Sequence, residues 1–382
     1  MEKTIPYAKQ YLDDDDIKAV VEVLKGDYLT TGPYINQFES EFALKVGAKY
    51  AVAVSSGTAA LHIAYLAADL KPYDEVITTP MTFAATANAA LYVGAQPVFA
   101  DIDGQTYNID VKEIESHLTP QAKAIVPVHY TGLPCEMGEI CDIAKLHNLV
   151  VIEDACHALG AKYKDTVIGD CTYSDMTVFS FHPVKHITTG EGGMITTNSE
   201  SLYHKLIKLR SHGITRDSRS FKEPSHGDWY YEMQDLGFNY RLTDIQAALG
   251  ISQLKKLDSF VARRRQIVGQ YNQAFKGLPV ELPSEPEGCF NSYHLYVVRV
   301  DKKIKTTRKD LYFKLKEKGI HTQVHYLPAH TMPYYQEHFG YKWGDYPVAE
   351  DHYSRVLSLP MYPAMTDDDV DYVINCMKEV LL

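Results

Sequence analysis

Lys185 stands in the run FSFHPVKHITTGEGG, between an apolar, strand-like stretch (Met176 to Phe181) and a glycine-rich turn. A lysine there is poorly solvated. Desolvation favours the neutral amine, the form that attacks a carbonyl to make a Schiff base. Asp154 closes a second apolar run, LVVIEDA, and His157 follows three residues later. A carboxylate at the end of a buried strand can ligate Mg²⁺, as in ATPases, or partner a protonated ring nitrogen. No GxxxxGK[ST] loop is present, which argues against the first use. In SSGTAALH, Ser55, Ser56 and Gly57 close a turn, and Thr58 and Ala59 open an amphipathic helix. Exposed N–H groups, a helix dipole and hydroxyls together suit a phosphate. Phe83, in TTPMTFAATANAAL, is an aromatic able to cover a planar ring. Ser180 and His182 share one face of the strand that delivers the lysine.

Each feature alone has an ordinary explanation: an N-cap, a core phenylalanine, a satisfied histidine. Together, at successive strand ends, they meet the requirements of pyridoxal 5′-phosphate. Lysine holds the aldehyde, a carboxylate keeps the pyridine nitrogen protonated, a helix start takes the phosphate, and an aromatic covers the ring.

The elements that must position these groups are legible as an alternation. Strand-like runs fall at Tyr50–Val54, Glu75–Thr78, Pro97–Ala100, Ala124–Val128, Val150–Glu153, Thr177–Phe181 and Gly193–Thr197. Helical patterns at Ala59–Asp69, Ala84–Val93, Cys135–His147 and Ser199–Ser211 lie between several of them. This predicts an α/β unit with a mainly parallel central sheet, whose ligands gather at the carboxyl ends of the strands. From Ile245 to Phe275 the pattern becomes one long charged helical stretch. A strand-like Tyr293–Val300, a helix from Thr307, a strand QVHY and a terminal helix opened by Thr366 and Asp369 follow. The chain is therefore expected to divide into a large cofactor-binding domain, 1–250, and a smaller C-terminal α+β domain, 251–382. Its 382 residues exceed what one core usually serves.

Composition narrows the partners. The formal net charge is −11 and no Lys/Arg block is present, so nucleic acid is not expected. The six cysteines form no CxxC pair and no metal-like spacing. No signal-peptide core or membrane-length apolar run is present, so neither a metal nor a membrane is expected, and a cytoplasmic setting is.

Over nearly its whole length the sequence resembles the DegT/DnrJ/EryC1/StrS family of sugar aminotransferases. The resemblance is carried by YLTTGPYINQFE, SSGTAALH, TTPMTFAATANAAL, IEDACHALGA, FSFHPVKHITTGEGG, LRSHGITRD, LGFNYRLTDIQAALG and VHYLPAH. It implies the type I, aspartate aminotransferase-like fold of pyridoxal phosphate-dependent transferases. By position, Lys185 falls on the Schiff-base lysine, Asp154 on the partner of the pyridine nitrogen, His157 on the ring contact and Phe83 on the stacking aromatic. Gly57, Thr58, Ala59 and Ser180 fall on the phosphate cradle. Asn239 falls on an asparagine that reaches the phosphate from the neighbouring subunit, which implies a homodimer with shared active sites. Arg241 lies beside it, placed for anionic groups. Tyr7, then Asp27, Tyr28, Leu29 and Thr30, and His325, Tyr326, Leu327 and Pro328 fall on segments lining the nucleotide-sugar site. The branch most resembled moves an amino group from L-glutamate to C4 of a UDP-4-keto-6-deoxy-N-acetylhexosamine on the route to pseudaminic acid. Perosamine-, bacillosamine- or 3-amino-sugar-forming relatives are alternatives, as is a non-catalytic, cofactor-binding regulator. A related subgroup has histidine in place of the lysine and acts as a dehydratase; Lys185 favours amination. His186 departs from that branch, which often has proline after the lysine.

Overall fold

The structure, a computed structural model, describes residues 3–382. Its centre is a seven-stranded sheet of β1 (Tyr50–Val54), β2 (Glu75–Thr78), β3 (Gln96–Phe99), β4 (Ala122–Val126), β5 (Val150–Asp154), β6 (Met176–Ser180) and β7 (Gly193–Thr197). The order across the sheet is β1-β7-β6-β5-β4-β2-β3. Six strands run parallel. Only β7 is reversed, pairing antiparallel with both β1 and β6. All seven sequence-read strands are present, with ends displaced by at most two residues.

These strands are buried along most of their length because helices cover both faces. Such coverage explains their continuous Val/Ile/Ala composition. On one side α2 (Pro33–Val46) presses Phe38 and Phe42 against Phe179 and Phe181 of β6 and its exit, with ring centroids 5.2–5.6 Å apart. On the other lies α3 (Gly57–Ala67), nine of whose eleven residues are buried, so it reads as apolar on every face. The first helix of the chain, α1 (Asp14–Lys25), is held by a capping box between Asp13 and Asp16. Next to β2, α4 (Ala84–Tyr92) starts at Phe83.

A second apolar core gathers Ile267, Tyr271, Phe275, Tyr296, Val298, Leu311, Val373 and Met377, and takes in Ile5, which bridges to Ile320. Its sheet pairs Val280–Glu281, Tyr296–Val300 and Val356–Leu359, all antiparallel. The terminal helix Asp367–Leu381 carries the expected Thr366–Asp369 capping box.

Three readings of this region are corrected. The long helical stretch is two helices, Asp244–Leu254 and Leu257–Phe275. The strand-like Tyr293–Val300 shortens to Tyr296–Val300, since Tyr293 takes a positive φ of 50°. QVHY forms no strand beyond a single bridge, Gln323 to Ser358, because its last two residues, His325 and Tyr326, line a cavity.

Among the described residues, no helix is long and apolar enough to cross a membrane, and no cluster of His, Cys, Asp and Glu is placed to hold a metal ion.

Candidate active site

The carboxyl ends of β1, β2, β5 and β6 meet along one edge of the large sheet, and a cavity of about 440 Å³ opens there. Its wall includes Tyr7, Gly57, Thr58, Phe83, Asp154, His157, Ser180, Lys185, His325 and Tyr326. Ten of the residues singled out in the sequence, separated by up to 319 positions, thus share one concave surface.

Glycine makes the phosphate-ready turn possible. A Cβ on Gly57 would lie 2.9 Å from the Ser180 Cβ, and one on Gly193 would lie 2.5 Å from the Ser56 carbonyl oxygen. The two glycines let β1, β6 and β7 converge beneath the start of α3. Ser56 caps that helix by accepting the Ala59 N–H at 3.0 Å. The Gly57 and Thr58 N–H groups, in its first turn, have no carbonyl of their own helix to bond. Ala59 itself is buried and does not line the cavity, and its N–H is the one that Ser56 takes.

Lys185 leaves the end of β6 through a short turn in which its N–H donates to the His182 carbonyl at 2.9 Å. The side chain is half-buried among cavity groups. Burial pushes its amine below the ordinary lysine value, while Cys156 and Asp154 act in the opposite sense. Asp154, on the last residue of β5, accepts from Thr86 Oγ1 at 2.6 Å and from the Cys156 N–H at 3.2 Å. Those bonds leave acceptor capacity on the carboxylate.

His157 stacks near Tyr326, centroids 5.9 Å apart, and its Nε2 lies 2.9 Å from the Tyr326 hydroxyl. Its Nδ1 is buried without a protein partner. Burial first, then the charges of Lys185, His325 and His186, push the His157 imidazole well below the usual range. His325 is pushed down to about 3 by burial and by Lys185. Burial likewise drives Tyr326 upward, so its hydroxyl keeps its proton. Phe83 stands at the rim, 63% exposed, with its ring 6.2 Å from that of Tyr326.

Other residues noted in the sequence lie elsewhere. Asp27, Tyr28, Leu29 and Thr30 are exposed outside the cavity, tied to the start of the Asp244–Leu254 helix by the Asp244 N–H to Leu29 carbonyl bond. Asn239 is exposed and Arg241 partly so; Arg241 bridges Val54 at the end of β1 and Asn239 bridges Ser211, and neither lines this chain's cavity. Leu327 faces a separate cleft with Arg308 and Tyr353, and Pro328 is buried. His186 has a structural explanation: it is buried behind the lysine, its Nε2 3.2 Å from the Ser292 carbonyl and its ring 5.7 Å from His294.

Sequence reading missed Thr82, Thr86, Cys156, Glu191 and His294, all in the cavity wall. Thr82 and Thr86 are four apart at a helix start, which places both on one side, a signal that was available. His294 arrives from the second core with no local signature. It is positioned by Arg264, whose buried guanidinium donates to the carbonyls of Tyr293, His294 and Met361 at 3.4, 3.1 and 3.1 Å.

The site fits pyridoxal phosphate on three counts. The carboxylate has a free acceptor position, the glycine turn would be filled by a Cβ, and a buried imidazole nitrogen lacks a partner. Fold and site together define a pyridoxal phosphate-dependent aminotransferase.

Comparison with known proteins agrees. The model of the DegT/DnrJ/EryC1/StrS aminotransferase family matches residues 10–378, and the chain belongs to that family. It is 46% identical over 380 residues to the spore coat polysaccharide biosynthesis protein SpsC of Bacillus subtilis, covering 99% of this chain and 97% of SpsC. Among solved structures it resembles Helicobacter pylori PseC, an aminotransferase of pseudaminic acid biosynthesis, with a TM-score of 0.91, 34% identity and 99% of each chain covered. It also resembles the pyridoxal phosphate form of the sugar aminotransferase Spr1654 of Streptococcus pneumoniae, with a TM-score of 0.90, 30% identity and complete coverage of both chains. The protein is a pyridoxal phosphate-dependent sugar aminotransferase.

Proposed function

We propose that this enzyme transfers the amino group of L-glutamate to C4 of a UDP-4-keto-6-deoxy-N-acetylhexosamine, UDP-2-acetamido-2,6-dideoxy-β-L-arabino-hex-4-ulose, as in pseudaminic acid biosynthesis. The observation that carries the chemistry is Lys185, its amine lowered by burial, in one cavity with Asp154 and the Gly57 turn. The likeness to PseC supports the choice of sugar.

Bound pyridoxal phosphate supplies an electron sink and carries nitrogen between the two substrates. The chain's residues supply the rest. Lys185 Nζ would hold the cofactor through its aldehyde and, when free, would take the proton from the donor Cα and hand it back, acting as base and then as acid. Its lowered basicity keeps part of the amine neutral for that task. Asp154 keeps the ring nitrogen protonated. The Gly57, Thr58 and Ala59 turn, with Ser180, takes the phosphate, and His157 and Phe83 hold the ring. Tyr7, His325 and Tyr326 close the sugar side. Asp27 to Thr30, Arg241, Leu327 and Pro328 belong to a wider nucleotide-sugar surface, completed in a homodimer, where Asn239 of the partner subunit reaches the phosphate. The exposure of Asn239 and Tyr28 in the single chain supports that assembly. The division into 1–250 and 251–382 belongs to the same reading, supported by the separate core built around residues 267–377.

A second reading, amination of a different nucleotide sugar, is favoured by the 46% identity to SpsC. Purified enzyme with L-glutamate and a panel of UDP-, GDP- and dTDP-linked keto-sugars, read by mass spectrometry, separates the two. The UDP-linked 4-keto-sugar is expected to gain the amine; exclusive amination of a GDP- or dTDP-sugar overturns the first reading. Lys185→Ala is expected to lose both turnover and the visible absorbance of the lysine-bound cofactor.

A further inference from the structure

Asp154 is served by a chain of hydroxyls that the proposed chemistry has not yet used. Thr86 Oγ1 lies 2.6 Å from Asp154 Oδ2, and Thr82 Oγ1 lies 2.7 Å from Thr86 Oγ1. The direction of donation is fixed by chemistry. A carboxylate accepts, so the Thr86 hydroxyl gives its proton to Oδ2; its oxygen then accepts from Thr82, whose hydroxyl lies closer to it, at 2.7 Å, than to the Phe83 carbonyl at 3.3 Å. Each threonine is 1% exposed and Asp154 is 5% exposed, so water does not compete for these bonds. The backbone at Thr86 is itself pinned, because the buried Tyr65 hydroxyl donates to the Thr86 carbonyl at 3.0 Å. Helix α4 therefore presents a fixed hydroxyl to the end of β5. The remaining bond to the carboxylate, Cys156 N–H to Oδ1, is longer at 3.2 Å.

We propose that Thr86, backed by Thr82, is a positioning residue for Asp154. Its bond to Oδ2 fixes the rotation of the carboxylate and leaves Oδ1 as the less committed oxygen for the ring-nitrogen proton of the cofactor. The inference rests on the reading of Asp154 as partner to that nitrogen.

Thr86→Val keeps the shape and removes the hydroxyl, whereas Thr86→Ser keeps the hydroxyl and removes a methyl. Pyridoxal phosphate is titrated into each apo-protein, and kcat and KM for the amino donor are measured separately. For Thr86→Val the dissociation constant of the cofactor is expected to rise about tenfold, the effect of losing one charge-assisted bond. Its kcat should fall with little change in KM, and Thr86→Ser should stay near the wild type in both. Valine behaving like wild type, or serine impaired as much as valine, overturns the proposal, since either outcome makes Thr86 a packing residue. Asp154→Asn, measured alongside, separates the two levels. If it binds cofactor and turns over normally, the role of Asp154 itself falls. If it is impaired while Thr86→Val is not, only the threonine's role falls.

Discussion

Glu153 and Asp154 are neighbours in β5 and face opposite sides of the sheet, and they are buried to nearly the same degree, at 3% and 5% exposure. Their surroundings differ in completeness. Glu153 accepts from His129 Nε2 at 2.7 Å, Ser174 at 2.5 Å and Thr177 at 3.0 Å. The Cys135 N–H occupies His129 Nδ1, so Nε2 carries the proton that His129 donates. Burial alone would raise the Glu153 carboxyl, but these bonds hold it below its ordinary value. Asp154 has Thr86 and one long backbone bond, and the rest of it faces a cavity. Burial therefore does not distinguish a structural acid from a chemical one. Unspent acceptor capacity does.

That contrast can be broken in order of expected effect. Glu153→Ala strands three donors, each worth roughly 1–3 kcal/mol, so urea unfolding should show a loss of at least about 3 kcal/mol, with cofactor affinity kept in the folded fraction. A variant of undiminished stability that binds cofactor poorly would put function on the wrong face of the sheet. Asp154→Ala should do the reverse. Transamination should fall by about 10²–10³-fold, the usual scale for losing a preorganised electrostatic partner, with a smaller shift in the urea midpoint. Near-normal turnover would contradict the role given to Asp154. The smallest effect concerns pH. His325 stays neutral in the fold down to about pH 3, whereas an unfolded histidine takes up a proton near pH 6.5. Below about 6.5 the unfolded chain thus binds the extra proton, and stability falls as pH falls, by about 1.4 kcal/mol per pH unit for this one group. In apo-protein, His325→Gln should flatten the acid limb of the stability curve by that amount; an unchanged slope between about pH 6 and 4 would show that His325 is not held neutral.

Much of this arrangement was legible because β-strand ends concentrate it. Asp154, Ser180 and Lys185 sit at or just after runs of apolar residues whose period and length mark buried strands, and the structure moves those strand ends by two residues or fewer. The glycine turn was visible for the same reason. What escaped was carried by long-range contact. Thr86 meets Asp154 across 68 positions, and nothing near either residue announces the other. Arg264 lies in a helix rich in charge, where an exposed guanidinium is the default, yet it is fully buried because three carbonyls from other segments converge on it. QVHY had the composition of a strand, but its histidine and tyrosine belong to a cavity wall, and that use overrides local preference.

The reversal of β7 bears on motion. Because β7 runs back beside β6, the segment that carries Lys185 is a loop moored at both ends to adjoining strands. Ser180 is paired with Gly193, the Phe181 N–H donates to Gly192 at 2.9 Å, and the Thr189 N–H returns to Phe181 at 3.1 Å. In the role proposed for Lys185 the amine releases its partner and re-engages it in every cycle, and this anchoring leaves the side chain's own four methylenes as the source of its reach.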